Sequence, residues 1–182
     1  MTRNELRGAW LARRKAISMA DVVRDSAALV RHLVEHPMFH AARTLAAYQG
    51  VRGEPLLATA LDTTTKGIAL PRTVGKQMRM HAWDGSPLVP GVFGILEPAQ
   101  TLPIVDPSLV DLWLVPGVCF DVRGNRLGHG AGHYDRALAG VRAPRVGVAW
   151  SWQIVDHLPA EPHDVPMTAI VTEHGWVDLP AR

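Results

Sequence analysis

One stretch constrains this chain more than any other: Asp111 to Leu138, D-L-W-L-V-P-G-V-C-F-D-V-R-G-N-R-L-G-H-G-A-G-H-Y-D-R-A-L. Its apolar run Leu112 to Val115 reads as a buried strand, and a loop carrying Gly124, Gly128, Gly130 and Gly132 leads into a helix starting near His133. A strand delivering into a glycine loop and a helix suits a layered α/β architecture better than a bundle or a sandwich. Thr44 to Tyr48, Glu54 to about Thr63 and Gly67 to Leu70 repeat the theme as strand, helix and strand, with Pro55 in the helix's first turn and Pro71 ending the second strand. Their spacing fits a right-handed parallel crossover. The expectation is an α/β chain with a mostly parallel sheet and helices on both faces, forming one domain over 1–182.

The flanks add elements to that sheet. From Arg3 to about Ile17, Leu6, Trp10, Leu11 and Ile17 recur at mainly helical spacing among basic residues whose side is expected to be solvated. Ser18 with Asp21 three residues on resembles a capping signal for a second helix running to Pro37. Pro37 also separates His36 from His40, which argues against a shared metal-binding face. Met78 to Trp83 alternates as an antiparallel strand, Arg145 to Trp150 and Thr168 to Thr172 read as further strands, and the Pro- and Gly-rich Gly85 to Pro107 wraps the surface.

Composition excludes several functions. With 182 residues, 47% of them hydrophobic, the chain can build one substantial core. Nineteen basic against 17 acidic residues leave +2, too little for nucleic-acid binding by bulk charge. The lone Cys119 cannot form an intrachain disulfide, and its apolar surroundings suit a small core residue rather than a catalytic thiol. Charges interrupt the N-terminal segment, and no apolar run approaches the roughly 18 residues of a membrane span, so the expected compartment is cytoplasmic. Nothing indicates a protein partner.

The glycine loop carries the chemistry. Backbone amides and a helix N-terminus can converge there on an anion, with Arg123, Arg126 and Arg136 available for charge-assisted hydrogen bonds. The loop is neither a Walker A sequence, lacking G-K-[ST], nor a dinucleotide fingerprint, because His133 interrupts it. Phosphate binding and a tight strand-to-helix turn both remain open on these residues alone. His129, His133 and Asp135 invite a zinc reading that lacks a supporting H-E-x-x-H or C-x-x-C. Asp135 suits Mg²⁺ beside phosphate or, alternatively, the positive end of a helix dipole. Asp164 lies in the proline-constrained L-P-A-E-P-H-D-V-P-M, and neighbouring strand ends can bring it to Asp135.

Six segments in order, R-N-E-L-R with R-R-K-A-I-S, Tyr48 and Glu54, A-L-P-R, D-L-W-L-V-P-G-V-C-F-D, R-L-G-H-G-A-G-H-Y-D-R, and L-P-A-E-P-H-D-V-P-M with I-V-T-E, resemble the 5-formyltetrahydrofolate cyclo-ligase family, also called 5,10-methenyltetrahydrofolate synthetase. The resemblance implies a Rossmann-like α/β domain that takes Mg²⁺-ATP, with ATP as co-substrate, and cyclises 5-formyltetrahydrofolate to 5,10-methenyltetrahydrofolate. In such chemistry the formyl oxygen is phosphorylated and N10 closes the ring as phosphate leaves. Positioning and charge neutralisation then matter more than a covalent nucleophile, in keeping with a chain that offers no convincing Ser, Cys and His constellation.

By the family pattern, Arg3, Asn4, Glu5, Leu6 and Arg7, with Arg126, Leu127, Gly128, His129, Gly130, Ala131, Gly132, His133 and Tyr134, fall on ATP-binding segments. Arg7 and Glu54 fall on folate-contacting positions, and His129 through His133 are shared by both substrates. Asp135 and Asp164 fall on metal positions. On its own residues Glu54 reads as an ordinary glutamate at a helix start in preference to a folate contact. His129 and His133 stand where the family often has Tyr, Arg or Lys and then Tyr, and Ala131 where it often has Gly or Lys. Two other readings follow from those departures: a binding regulator without turnover, and an ATP-using enzyme acting on another amide-like substrate.

Overall fold

The computed structural model describes residues 1–75, 77–177 and 179–180. Two helices open the chain: α1 (Arg3–Lys15), closed by a capping box between Thr2 and Glu5, and α2 (Met19–Val34). The Ser18 hydroxyl accepts from the Asp21 N–H at 3.1 Å and donates to the Asp21 carboxylate at 2.7 Å, so the cap signal read in the sequence is made. Ser18→Ala is expected to cost about 1 kcal/mol, seen as a lower urea midpoint with an unchanged slope; an unmoved midpoint would count against the cap. α3 (Pro37–Ala41) starts afresh at Pro37, with His36 Nδ1 accepting from the Met38 N–H at 3.2 Å.

The rest alternates strands and short helices: β1 (Thr44–Ala46), α4 (Ala58–Asp62), β2 (Gly67–Val74), β3 (Gln77–Trp83), β4 (Val89–Pro90), β5 (Leu96–Glu97), β6 (Leu112–Pro116), β7 (Cys119–Asp121), β8 (Arg126–Leu127), α5 (His133–Leu138), β9 (Arg145–Val148), β10 (Ile154–Val155), β11 (Ala169–Thr172) and β12 (Gly175–Val177). A sheet in the order β12-β11-β9-β6-β1-β2-β3 is parallel through its middle and antiparallel at both edges, so the mostly parallel α/β expectation holds. In chain order its parallel strands lie 2-1-3-4-5, which places the reversal between β1 and β6. The crevice beyond the carboxyl ends at that reversal is where open α/β sheets bind ligands.

Side chains alternate across this sheet. Leu45, Leu112, Leu114, Val146 and Val148 pack with Leu29 and Leu33 of α2, Phe39 of α3 and Leu61 of α4, while Ala46, Trp113, Val115 and Ile170 face the other way with Leu138 of α5 and Phe120. The second face thus carries one short helix and a small sheet, β10-β7-β8. α1 lies on that sheet, with Leu6 and Trp10 against Cys119, Leu127 and Leu158.

Two expectations need correction. β2 does not end at Pro71 but continues to Val74. Ala47 donates to the Ala69 carbonyl at 2.9 Å, so Pro71 turns its missing N–H toward the same side, beyond the last residue of β1, where no ladder bond is lost. The helix expected from Glu54 starts only at Ala58. Pro55 disfavours helical backbone at Glu54, and the freed segment is held by other bonds. Tyr48 donates its hydroxyl to the Pro55 carbonyl at 3.0 Å, and the Leu56 N–H donates to Ser26 Oγ at 2.9 Å.

Candidate active site

Just beyond β1 and at the end of β6, Tyr48 and Pro116 open onto a cavity of about 750 Å³. Four segments far apart in sequence wall it: the start of α1, the loop through Glu54, the glycine loop into α5, and the turn at Glu161 to Asp164. Leu70, Pro71, Met78, Ile95 and Leu96 give it an apolar side.

The glycine loop is shaped by what approaches it. A Cβ at Gly128 would come within 2.7 Å of Arg126 Nη1, and Gly132 holds φ at +64° as it caps α5, a conformation that costs other residues roughly 1–2 kcal/mol. Arg7 Nε donates to the Gly128 carbonyl at 2.9 Å, and Arg136 Nη2 to the Ala131 carbonyl at 2.9 Å, bracing the loop from both sides. Arg126 donates to Asp135 Oδ1 at 2.9 Å, and its guanidinium stands on the cavity wall beside the glycine loop, where its charge suits an anion.

Arg3 reaches the same cavity from α1. Its Nη1 donates to Asp164 Oδ2 at 2.5 Å and to the Pro159 carbonyl at 2.8 Å, and its Nη2 to Asp164 Oδ1 at 3.1 Å. The Asp164 hydrogen bond holds the Arg3 guanidinium above its usual pKa, against the effect of burial, with smaller charge contributions that include Asp135. Burial acts to raise the Asp164 pKa, but the Arg3 hydrogen bond and the Glu161 amide outweigh it and leave the carboxyl below its ordinary value. A carboxyl lowered on folding adds stability above its unfolded pKa and loses it as pH falls through the folded one. The advantage of wild type over Asp164→Asn in a circular-dichroism acid titration should therefore be present at neutral pH and shrink as pH falls below the ordinary aspartate range. A difference that persists in acid would contradict this.

Glu54 also lines the cavity, 6% exposed rather than on a solvated helix start. Its Oε1 accepts from Arg14 Nη1 at 3.0 Å and its Oε2 from the Val51 N–H at 3.2 Å. Its negative charge adds to burial in raising the Tyr48 and Tyr134 hydroxyl pKa values. Arg14 is itself 2% exposed, which corrects the expectation that the basic side of α1 is simply solvated. A buried cation had no distinguishing mark within the basic run Arg13 to Lys15.

Most of the residues singled out by the sequence meet here. Arg3, Asn4, Arg7, Glu54, Arg126, Gly128 to Asp135 and Asp164 all line the cavity. Three predicted segment members do not: Glu5 is turned back into the α1 cap, and Leu6 and Leu127 are buried together in the core. Arg123 also lies off the cavity wall. His129, His133 and Asp135 form no ligand cluster; among the described residues, the three whose ligand atoms lie within 4.8 Å of one another are Glu161, His163 and Asp164. Burial pushes the Cys119 thiol up to about 12, so it is no nucleophile at neutral pH.

Comparison with known proteins agrees with this architecture. The profile of the 5-formyltetrahydrofolate cyclo-ligase family matches residues 1–173. The chain is 34% identical to the 5-formyltetrahydrofolate cyclo-ligase of Mycolicibacterium smegmatis, over 98% of this chain and 97% of that one. It is 31% identical to that of Escherichia coli K12, over 88% and 94%. The NMR structure of Aquifex aeolicus 5,10-methenyltetrahydrofolate synthetase superposes with a TM-score of 0.90 at 34% identity, covering 100% of this chain and 95% of that one. With fold, segment order and near full-length similarity in agreement, the chain belongs to the 5-formyltetrahydrofolate cyclo-ligase family.

Proposed function

We propose that this protein is an ATP-dependent enzyme that converts 5-formyltetrahydrofolate to 5,10-methenyltetrahydrofolate with release of ADP and phosphate, working as a single domain in the cytosol. The observation that carries the reading is the lining of one cavity: Arg3, Arg7, Arg126 and the glycine loop share it with the buried Glu54 carboxylate and an apolar wall of Leu70, Pro71, Met78, Ile95 and Leu96. The arginines and loop amides suit triphosphate; the carboxylate acceptor and apolar wall suit a planar ring with N–H donors. Among the described residues no helix is long and apolar enough to cross a membrane.

The reaction needs ATP because an amide oxygen is a poor leaving group. The formyl oxygen attacks the γ-phosphorus, the bond from that phosphorus to ADP breaks, N10 adds to the activated carbon and loses its proton, and phosphate departs. Arg126 and Arg3 neutralise phosphate charge, the loop amides orient the γ-phosphate, and Glu54 accepts from the pterin amino and ring N–H groups. Asp135 and Asp164 offer the hard carboxylate oxygens that Mg²⁺ takes beside phosphate, and each is now matched to an arginine that can turn to phosphate instead. Bound there, Mg²⁺ would add further charge neutralisation on the triphosphate.

The test is near-ultraviolet absorbance of the purified protein with 5-formyltetrahydrofolate and Mg²⁺-ATP, beside controls lacking ATP, Mg²⁺ or protein. A methenyl chromophore that appears only in the complete mixture is expected. Its absence from folded protein that binds both substrates would overturn the reading.

A further inference from the structure

The mechanism above leaves unused the most buried cation beside the cavity. Arg14 comes from the last turn of α1, and its guanidinium ties three separate segments together. Nη1 donates to Glu54 Oε1 at 3.0 Å and to the Gly117 carbonyl at 3.4 Å, while Nη2 lies 3.3 Å from His129 Nε2. The backbone is fitted to this arrangement. A Cβ at Gly53 would sit 2.7 Å from the Arg14 carbonyl, and Trp150 Nε1 donates to the Gly53 carbonyl at 2.8 Å, so the Glu54 loop is fixed against α1 from both sides.

An arginine has only donors to offer, so its contact with His129 Nε2 needs that nitrogen to be an unprotonated acceptor. The same Nε2 lies 3.7 Å from Glu54 Oε1. If His129 takes up a proton, the new N–H⁺ faces a cation at 3.3 Å and an anion at 3.7 Å. It then leaves Arg14 and engages Glu54, drawing on the carboxylate that the pterin needs. Arg14 and Glu54 are the charged groups facing His129 from α1 and from the loop after β1. Arg7 braces the neighbouring Gly128, and Tyr48 and Tyr134 sit close enough to feel the Glu54 charge.

We propose that Arg14 is a positioning residue that aims the Glu54 carboxylate at the folate substrate and, through His129, makes folate affinity fall as His129 gains a proton. The inference rests on the cyclo-ligase reading and assigns a role to a residue that reading does not use. The coupling runs from a glycine-loop histidine to the Glu54 carboxylate 3.7 Å away, and varying ATP separately distinguishes it from an effect on the phosphates.

The test uses steady-state kinetics of the full-length protein, with folate and ATP varied separately. Arg14→Lys keeps the charge but loses the forked geometry. It is expected to raise the folate KM about tenfold and to move the ATP KM less than about twofold. Equal changes in both KM values, or none, would overturn the proposal. In wild type the folate KM should rise as the medium is acidified, and His129→Gln should flatten that dependence. This second arm stands even if Arg14→Lys does not fold: an unchanged pH slope in His129→Gln would overturn the histidine coupling. Wild-type protein that binds folate but forms no methenyl product would instead fault the reaction assigned above.

Discussion

Asp135→Asn is expected to lower turnover by about 10²- to 10³-fold, far more than the moderate loss of stability from neutralising the partner of the buried Arg126 accounts for. Asp135 lies in the first turn of α5, where its oxygen accepts from Arg126 Nη2 at 2.9 Å and its side chain keeps 15% exposure toward the cavity. Asparagine is nearly isosteric and retains an oxygen for Arg126, so packing changes little. What it removes is one negative charge in the cavity. Two roles for that charge predict different rescue. If Asp135 holds Mg²⁺, the variant regains activity as Mg²⁺ is raised; if it only balances Arg126, added Mg²⁺ leaves the defect unchanged. Wild-type turnover at limiting Mg²⁺ would remove Asp135 from the machinery.

Glu54→Ala is expected to destabilise the fold by about 3–5 kcal/mol, read as the shift in urea unfolding free energy. The carboxylate pairs with a guanidinium whose side chain is 2% exposed, and removing one member of such a pair strands the other charge out of water. The remaining contacts of Arg14, the Gly117 carbonyl at 3.4 Å and His129 Nε2 at 3.3 Å, carry no compensating negative charge. The Val51 N–H also loses its acceptor. Glu54→Gln keeps an oxygen in place, so it should lose less stability yet still weaken folate binding more than ATP binding. An alanine variant that unfolds with wild type would show that the ion pair does not hold this loop.

Ser18, the buried strand Leu112 to Val115 and the glycine loop were legible in the sequence because each is written in local spacing. The Ser18 cap spans three residues, and the strand's four consecutive apolar residues announce burial on both faces. Glu54 was misread for the opposite reason. Its partner Arg14 is 40 positions away, and nothing near Glu54 distinguishes a buried ion-paired carboxylate from one at a helix start. The meeting of Arg3 with Asp164 spans 161 positions and likewise appears only when the sheet brings α1 over the loop before β11. Leu6 and Leu127 show a limit of segment resemblance: the segments reach the cavity, but these two side chains point into the core that supports it. The two-residue strands β8 and β10 are too short to leave a periodic signal, although β8 is what delivers Arg126 to the glycine loop.

Phosphate transfer to the formyl oxygen precedes ring closure in the proposed reaction, and turnover of 5-formyltetrahydrofolate labelled with ¹⁸O in the formyl group, with mass spectrometry of the released inorganic phosphate, decides whether it does. One labelled oxygen is expected in each phosphate formed, in step with the methenyl product. Unlabelled phosphate accompanying that product would mean that ATP is split by water and that the cavity activates the formyl group some other way.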